Sequence, residues 1–422
     1  MTRQQAGLLP YQGALQGNGM GPVIWLAISV LLITIMDAQD YNAIFTATLS
    51  AMILKMCTFM FVDDCDLINT AENVYISATS ILPKFQQAID CWEGCLRATG
   101  GGIKPNKSFW YLIDWKWNGT DWSYHTKEDS PGDISVYDNG SRAILRRFEP
   151  HESNQTLGIH LAMDGNQKGE RQHLRQEAAD FADRYRIAPG IPKNDAWEGM
   201  LTTIMATFKY PAAATQLTQT DWDFVCAPVF QAGLPKAGYS RMFPRTVIFA
   251  PQLYQGRGVI HPFHNQELEH LATILYHCTH KTLTGKLLEQ SWESMRLEFG
   301  MPGNLTDFNF ALWDISITAS WLKTVWKYCR ENAIELQDKF ATLTLTRVND
   351  QFLMQAFMLH GYDQKELKLL NQVRMYLRAT TLTDITTADG RSLAPGVMEG
   401  TYLAQRMDRY TWPRQPPQLS KA

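Results

Sequence analysis

The segment from Phe59 to Leu67, FMFVDDCDL, sets two neighbouring carboxylates, Asp63 and Asp64, at the end of an apolar run. Like charges this close repel, so burial-prone residues leading into them point either to a bound cation or to a solvated turn. A divalent cation such as Mg²⁺ takes oxygen ligands, commonly one or two carboxylates together with phosphate oxygens. Two such cations can activate an attacking hydroxyl and stabilise a leaving pyrophosphate, which makes nucleotidyl transfer the chemistry best matched to this arrangement. The competing reading is an ordinary Asp-Asp surface turn. A second set of side chains, His261 and His264 in HPFH with His277, Cys278 and His280 in HCTH, offers donors that suit Zn²⁺. Its spacing fits no familiar finger, and the helical placement of His270, His277 and His280 favours a partly buried helix face. Cys91 and Cys95, one helical turn apart, fit a core helix. No GxSxG, P-loop or dinucleotide fingerprint occurs.

The elements that would position Asp63 and Asp64 follow from local patterning. Phe59 to Asp66 reads as the first half of a hairpin ending in a carboxylate turn, with Ile68 onward as its return. A Gly/Gln-rich loop, residues 8–20, precedes a helix expected from about Pro22. A second helix is expected over Ser80 to Arg97, with Leu82, Phe85, Ile89, Trp92 and Leu96 at helical spacing and Gly100-Gly101-Gly102 stopping it. In FWYLIDWKWNGTDWSYH, the pair Asn118-Gly119 predicts a hairpin that sets Trp115 and Trp117 opposite Trp122 and Tyr124. A strand is expected from Thr156 to Ala162, ending at Asp164-Gly165.

Beyond that strand the pattern turns helical. Helices are expected over Gln172 to Tyr185, Asp195 to Phe208 with Asp195 as N-cap, Gln266 to Cys278, Thr284 to Phe299, Ser316 to Ile334 and Gln364 to Leu377. The Pro/Gly-rich stretch from Pro228 to Gly258 reads as a linker carrying Arg241, Arg245 and Arg257. A further basic cluster is Arg142, Arg146 and Arg147. The last stretch, WPRQPPQLSKA, reads as a disordered tail. There is no internal repeat.

Composition limits the function classes. The 422 residues, 45% hydrophobic and 11% aromatic, suffice for two or three cores. A formal net charge of −3 provides no global basic field, so a nucleic-acid site would have to be a local groove. Seven scattered cysteines suit a reducing compartment better than a disulfide framework, giving an intracellular expectation, nuclear or cytoplasmic and not secreted. The sequons at Asn106, Asn118, Asn139, Asn154 and Asn304 would matter only in a secreted chain. Gly21 to Met36 is uncharged, but its sixteen residues fall short of the roughly 20 that a bilayer demands. The longer apolar stretch from Tyr41 to Val62 is interrupted by Lys55. Buried helices of a soluble core account for both, and no signal-peptide pattern frames the run.

FVDD also resembles the F/Y-x-D-D signature of reverse transcriptases. Upstream, LQGNGMGPVIWLAIS is similar to the family's Gln-Gly block at the start of a palm helix. Downstream, LRATGGGIKPNKSFWY resembles the segment ending in an Asn-x-x-Lys-like element, and TLGIHLAMDGN resembles the Leu-Gly strand that follows the palm in non-LTR retrotransposon enzymes. The four blocks stand in family order over residues 12–166. The resemblance implies an α+β fold, a partial right-hand polymerase palm followed by a mostly α-helical thumb and C-terminal region. It divides the chain into a palm at 1–165, a thumb-like or connection region at 166–300, a helical C-terminal region at 301–411 and a tail at 412–422. It implies RNA-directed DNA synthesis with Mg²⁺ or Mn²⁺ as cofactor and an RNA template, a DNA primer and dNTPs as partners, with no membrane. By the same resemblance Asp63 and Asp64 hold the metals, Asp63 the more directly. Gln16 and Gly17 lie beneath the nucleotide and template base, Phe61 contacts the primer end, Lys107 meets the triphosphate, and Leu157 and Gly158 support the primer.

One departure from the family is serious. Its first metal aspartate lies in a block N-terminal to the Gln-Gly loop, together with the fingers, and here only eleven residues precede Gln12. Asp37 and Asp40 follow the Gln-Gly block and have the wrong order to substitute. The expectation is therefore a polymerase segment with weak metal binding, inactive alone. Two alternatives stand beside it. One is a non-catalytic descendant that binds nucleic acid through Arg142, Arg146, Arg147, Arg241 and Arg245. The other is an unrelated membrane-attached protein using residues 21–62.

Overall fold

The computed structural model describes residues 21–61, 64–71, 76–117, 122–138 and 140–398. Gln16, Gly17, Asp63, the Asn118-Gly119 turn and the expected tail lie outside them. The chain is α+β and divides into two compact units. One comprises Ile53–Pro150 with the described residues up to Thr46, and the other Ala47–Met52 with the chain from His151 onward.

In the first unit, helix α1 (Gly21–Ala38) is followed by the antiparallel pair β1 (Ala43–Thr46) and β2 (Ile53–Met56). The helix ends because Asp40 takes a left-handed conformation (φ 56°), a residue type that tolerates it, and the Tyr41 N–H turns back to the Met36 carbonyl. Next come β3 (Thr58–Phe61) and β4 (Asp64–Leu67), antiparallel, and then α2 (Ala78–Ala98). The return strand of this hairpin thus begins at Asp64, four residues earlier than the expected Ile68. Helix α2 stops as its glycines demand: Gly100 is left-handed (φ 84°) and Gly101 donates to the Leu96 carbonyl.

Helix α2 serves two cores. One face, with Trp92 and Ala88, packs on Leu32 and Met36 of α1 and on Cys57, Met60, Cys65 and Leu67 of the β3–β4 segment. The other buries Leu82 and Ile89 against Trp110, Ile134 and Val136. The strands there are β5 (Phe109–Tyr111), β6 (Trp115–Trp117), β7 (Trp122–Tyr124), β8 (Ser135–Asp138), β9 (Ser141–Ile144) and β10 (Arg146–Phe148). β5 pairs in parallel with β10, and β6 pairs with β7 in the register expected from Asn118-Gly119, Trp115 opposite Tyr124 and Trp117 opposite Trp122. Polar groups of α2 satisfy the backbone of β8. The Gln86 side chain exchanges two hydrogen bonds with Ser135, and buried Glu93 accepts from the Tyr137 N–H at 2.9 Å.

The outer face of α1 is apolar and uncovered. Leu26 and Leu31 are 65% and 63% exposed, and Val23 and Val30 are exposed beside them. Among the described residues α1 alone is long and apolar enough to cross a membrane, with a mean hydropathy of 2.0 over its 18 residues.

The second unit opens with the hairpin β11 (Asn154–Thr156) and β12 (Ile159–Leu161) and continues as helices. These are α3 (Lys168–Ile187), α4 (Lys193–Thr202), α5 (Ile204–Thr207), α6 (Gln219–Lys236), α7 (Arg245–Phe249), α8 (Pro262–Thr279), α9 (Leu283–Phe299), α10 (Phe310–Trp313), α11 (Trp321–Glu331), α12 (Leu353–Leu359), α13 (Gln364–Tyr376) and α14 (Pro395–Met398). Asp195 lies in the first turn of α4 and is not its N-cap, which is Pro192. The expected linker from Pro228 is a correction as well: its first part completes α6, which buries Trp222, Val225, Cys226, Val229, Phe230 and Leu234. Pro228 and Pro235 are tolerated inside it because packing on every side outweighs the hydrogen bonds they remove. Thr218 and Asp221 start the helix with a reciprocal capping box.

Helices α3, α4 and α6 share one core of this unit, and α8, α9 and α11 share a second. Gln266, fully buried on α8, accepts from Thr215 Oγ1, the Leu217 N–H and Trp222 Nε1 and donates to the Leu217 carbonyl. Arg296 on α9 forms a buried bidentate pair with Asp338 at 2.7 and 2.8 Å. The seven cysteines are free. Burial raises the thiols of Cys57, Cys91 and Cys226, and pushes those of Cys65, Cys278 and Cys329 up to about 11.

Candidate functional site

The β3–β4 hairpin separates its residues by strand period into two faces. Met60 and Cys65 are cross-strand partners, as are Thr58 and Leu67, and Met60, Cys65 and Leu67 turn toward α1 and α2. The opposite face carries Phe59 against Asp66 and Phe61 against Asp64. Phe61 is 62% exposed and Asp64 is exposed beside it at the tip. The register therefore joins two expected site residues, Phe61 and Asp64, in one cross-strand pair.

Asp66 was not among the expected site residues, yet it shares the face of Asp64. Burial, and then the charge of Asp64, push its carboxyl above the usual carboxylate range. No described basic side chain pairs with either acid. The i,i+2 spacing of Asp64 and Asp66 in an alternating strand was the sequence signal for this. Within the two acids the electrostatics favour a bound positive charge, since a cation relieves the repulsion between neighbouring carboxylates. Among the described residues no group of three His, Cys, Asp or Glu forms a metal cage. The two acids suit a Mg²⁺ that takes its other oxygens from water and phosphate.

The remaining expected residues are dispersed. Lys107 is exposed at the end of a 3₁₀ turn, Pro105–Lys107, just before β5. Asp40 pairs with Lys55 at 3.7 Å. Leu157 and Gly158 are not strand residues: both have positive φ, 50° and 82°, and form the turn of the β11–β12 hairpin. The Leu157 carbonyl accepts from Tyr210 Oη at 2.6 Å. They fall in the second unit, which begins again at His151.

Several basic residues are committed within the fold. Arg142 makes a two-point pair with Asp90 at 2.9 and 3.0 Å and stacks on Tyr137. Arg147 lies over Trp110 and donates to the Ser130 carbonyl, while Arg146 lies over Phe148. Arg257 covers Trp197 and Tyr239. The histidines are likewise employed singly. His261 lies 3.2 Å from Asp223, His264 lies 3.2 Å from Tyr328 Oη, and His277 lies 2.8 Å from Thr282 Oγ1.

No family model matches the chain, nor does any curated protein or any solved structure.

Proposed function

We propose that the first unit is a polymerase palm of the reverse-transcriptase type and that its chemistry is metal-assisted nucleotidyl transfer on an RNA template and DNA primer. The observation that carries the reading is the β3–β4 pair: antiparallel strands flanking the FVDD sequence, with Phe61 paired with Asp64 and the inner face seated on two helices. Chain order supports it, since α1 follows the Gln-Gly block and α2 follows the acids. The helical second unit is read as the thumb and C-terminal region.

In this reading Asp63 and Asp64 hold Mg²⁺ or Mn²⁺, and Asp66 adds negative potential behind them. The bound metal would lower the pKa of the attacking hydroxyl and neutralise the leaving pyrophosphate. Phe61 offers an exposed aromatic face on which a terminal primer base can stack. Lys107 supplies a solvated cation for phosphate oxygens, a weaker and less directional contact than an arginine fork.

The test joins Mn²⁺ binding, followed by electron paramagnetic resonance, with primer extension on an RNA template. Mn²⁺ binding that is abolished by Asp63→Ala and weakened by Asp64→Ala, with template-dependent extension showing the same dependence, supports the reading. Identical Mn²⁺ binding in wild type and both folded variants would overturn it. Salt-sensitive RNA binding without metal binding would instead favour a non-catalytic nucleic-acid binder.

A further inference from the structure

The second unit contains a cavity of about 820 Å³ bordered by α6, α7 and the start of α8. Its walls combine apolar side chains, among them Phe249, Val259 and Ile260, with Arg245 and His261. That size and lining match those of small-molecule sites, which are mostly apolar with a few fixed polar groups.

Arg245 sets the chemistry. Its guanidinium lies over the Phe230 ring at 4.6 Å, and Nη1 is buried with no hydrogen-bond partner. Such a donor is costly to leave unmet. Asp223, the carboxylate that lines the cavity, lies 3.2 Å from Nε2 of His261 and makes no hydrogen bond to Arg245 Nη1. His261, 96% buried by virtue of its 4% exposure, accepts the Phe263 N–H at Nδ1. Its Nε2 therefore carries the proton and donates to Asp223, so the pair is satisfied without Arg245. Burial also lowers the pKa of the Arg245 guanidinium, in keeping with a desolvated cation. Arg245 borders a smaller notch of about 340 Å³ as well, where Arg186 and Arg241 stand. That notch is open surface: Met242 is 87% exposed and Arg186 is already paired with Asp183 at 2.6 Å.

We propose that the larger cavity binds a small organic carboxylate with a flat apolar body, its carboxylate on Arg245 and its body against Phe249, Val259 and Ile260. One fixed cation matches one negative charge, and Asp223 nearby disfavours a doubly charged phosphate. The planar guanidinium suits the planar two-oxygen carboxylate. Nothing in this inference depends on the hairpin acids or on polymerisation.

The probe is 2-naphthoate, titrated into the full chain by calorimetry, with neutral 2-naphthamide and phenyl phosphate as comparisons. Saturable 2-naphthoate binding is expected, tighter than either comparison. Arg245→Met, which keeps the aliphatic stem, should weaken naphthoate roughly tenfold to 150-fold and leave naphthamide unchanged, as for loss of a charge-assisted pair. Ile260 is 53% exposed at the rim, so charge can be placed there without touching the core. Ile260→Glu should weaken naphthoate and Ile260→Lys should strengthen it. The proposal fails if naphthoate does not bind, if it binds equally with all three variants, or if phenyl phosphate binds more tightly.

Discussion

Trp92 is the footing of the acidic hairpin, and truncating it tests whether the helices beneath hold Asp64 in place. The indole is 3% exposed and packs against Leu32, Met36, Cys57 and Ala88. A buried Trp removes roughly 150–250 Å² from water, worth about 4–6 kcal/mol at about 25 cal/mol per Å². Measured aromatic-to-alanine substitutions in cores cost about 3–5 kcal/mol, because neighbours collapse partly into the space. Trp92→Ala should therefore raise the opening equilibrium of the hairpin by roughly a hundredfold to several thousandfold, at about 1.4 kcal/mol per factor of ten. Hydrogen exchange at the β3 and β4 amides reads this directly, as a matching loss of protection. Trp92→Phe should lose much less. A fall in protection smaller than tenfold in Trp92→Ala would refute the claim that the hairpin rests on this side chain.

Three other outcomes are expected. Arg296→Met leaves Asp338 buried and unpaired and should cost about 3–5 kcal/mol in denaturant melts, whereas adding Asp338→Leu should recover much of it; equal losses in the single and double variants would count against this. Glu298, Glu170 and Glu289 have carboxyls raised above 4.5, in each case chiefly by burial, so the folded state holds their protons more tightly than the unfolded chain. Their contribution to stability should grow as pH falls from neutral through their folded pKa values and level off below about 4.5, and Glu298→Gln should flatten that rise in melts across pH. Leu157 sits at φ 50° followed by Gly158 at 82°, a turn that favours Asn-Gly, so Leu157→Asn should stabilise by about 1 kcal/mol in a thermal melt; destabilisation would mean that its side-chain packing outweighs the backbone strain.

What the sequence made legible depended on whether local signals agreed with packing. The β6–β7 register could be read because Asn-Gly and alternating aromatics point the same way. The acidic hairpin was placed correctly but its return strand was set late, since two polar residues in Asp64-Cys65-Asp66 look like turn rather than strand. The alternation that resolves it, aspartates outward and Cys65 and Leu67 inward, acquires meaning only once α2 provides a core. Helix α6 was missed because Pro228 and Pro235 are local breakers and an all-round apolar helix shows no amphipathic period. Its capping box at Thr218 and Asp221 was the available signal. At the site, Phe61 and Asp64 were named and Asp66 was not. The cavity at Arg245 could not be seen at all, because Arg245 and His261 meet only through tertiary packing.

The raised thiols have a practical consequence. With Cys65, Cys278 and Cys329 near 11 and Cys226 almost fully buried, few of these sulfurs are nucleophilic at neutral pH. The chain thus offers a quiet background for site-specific labelling. A single cysteine installed at the exposed position of Phe61 would react with maleimide reagents ahead of the native ones, which are all buried or partly buried, placing a spin label or fluorophore directly beside the acids it is meant to report on.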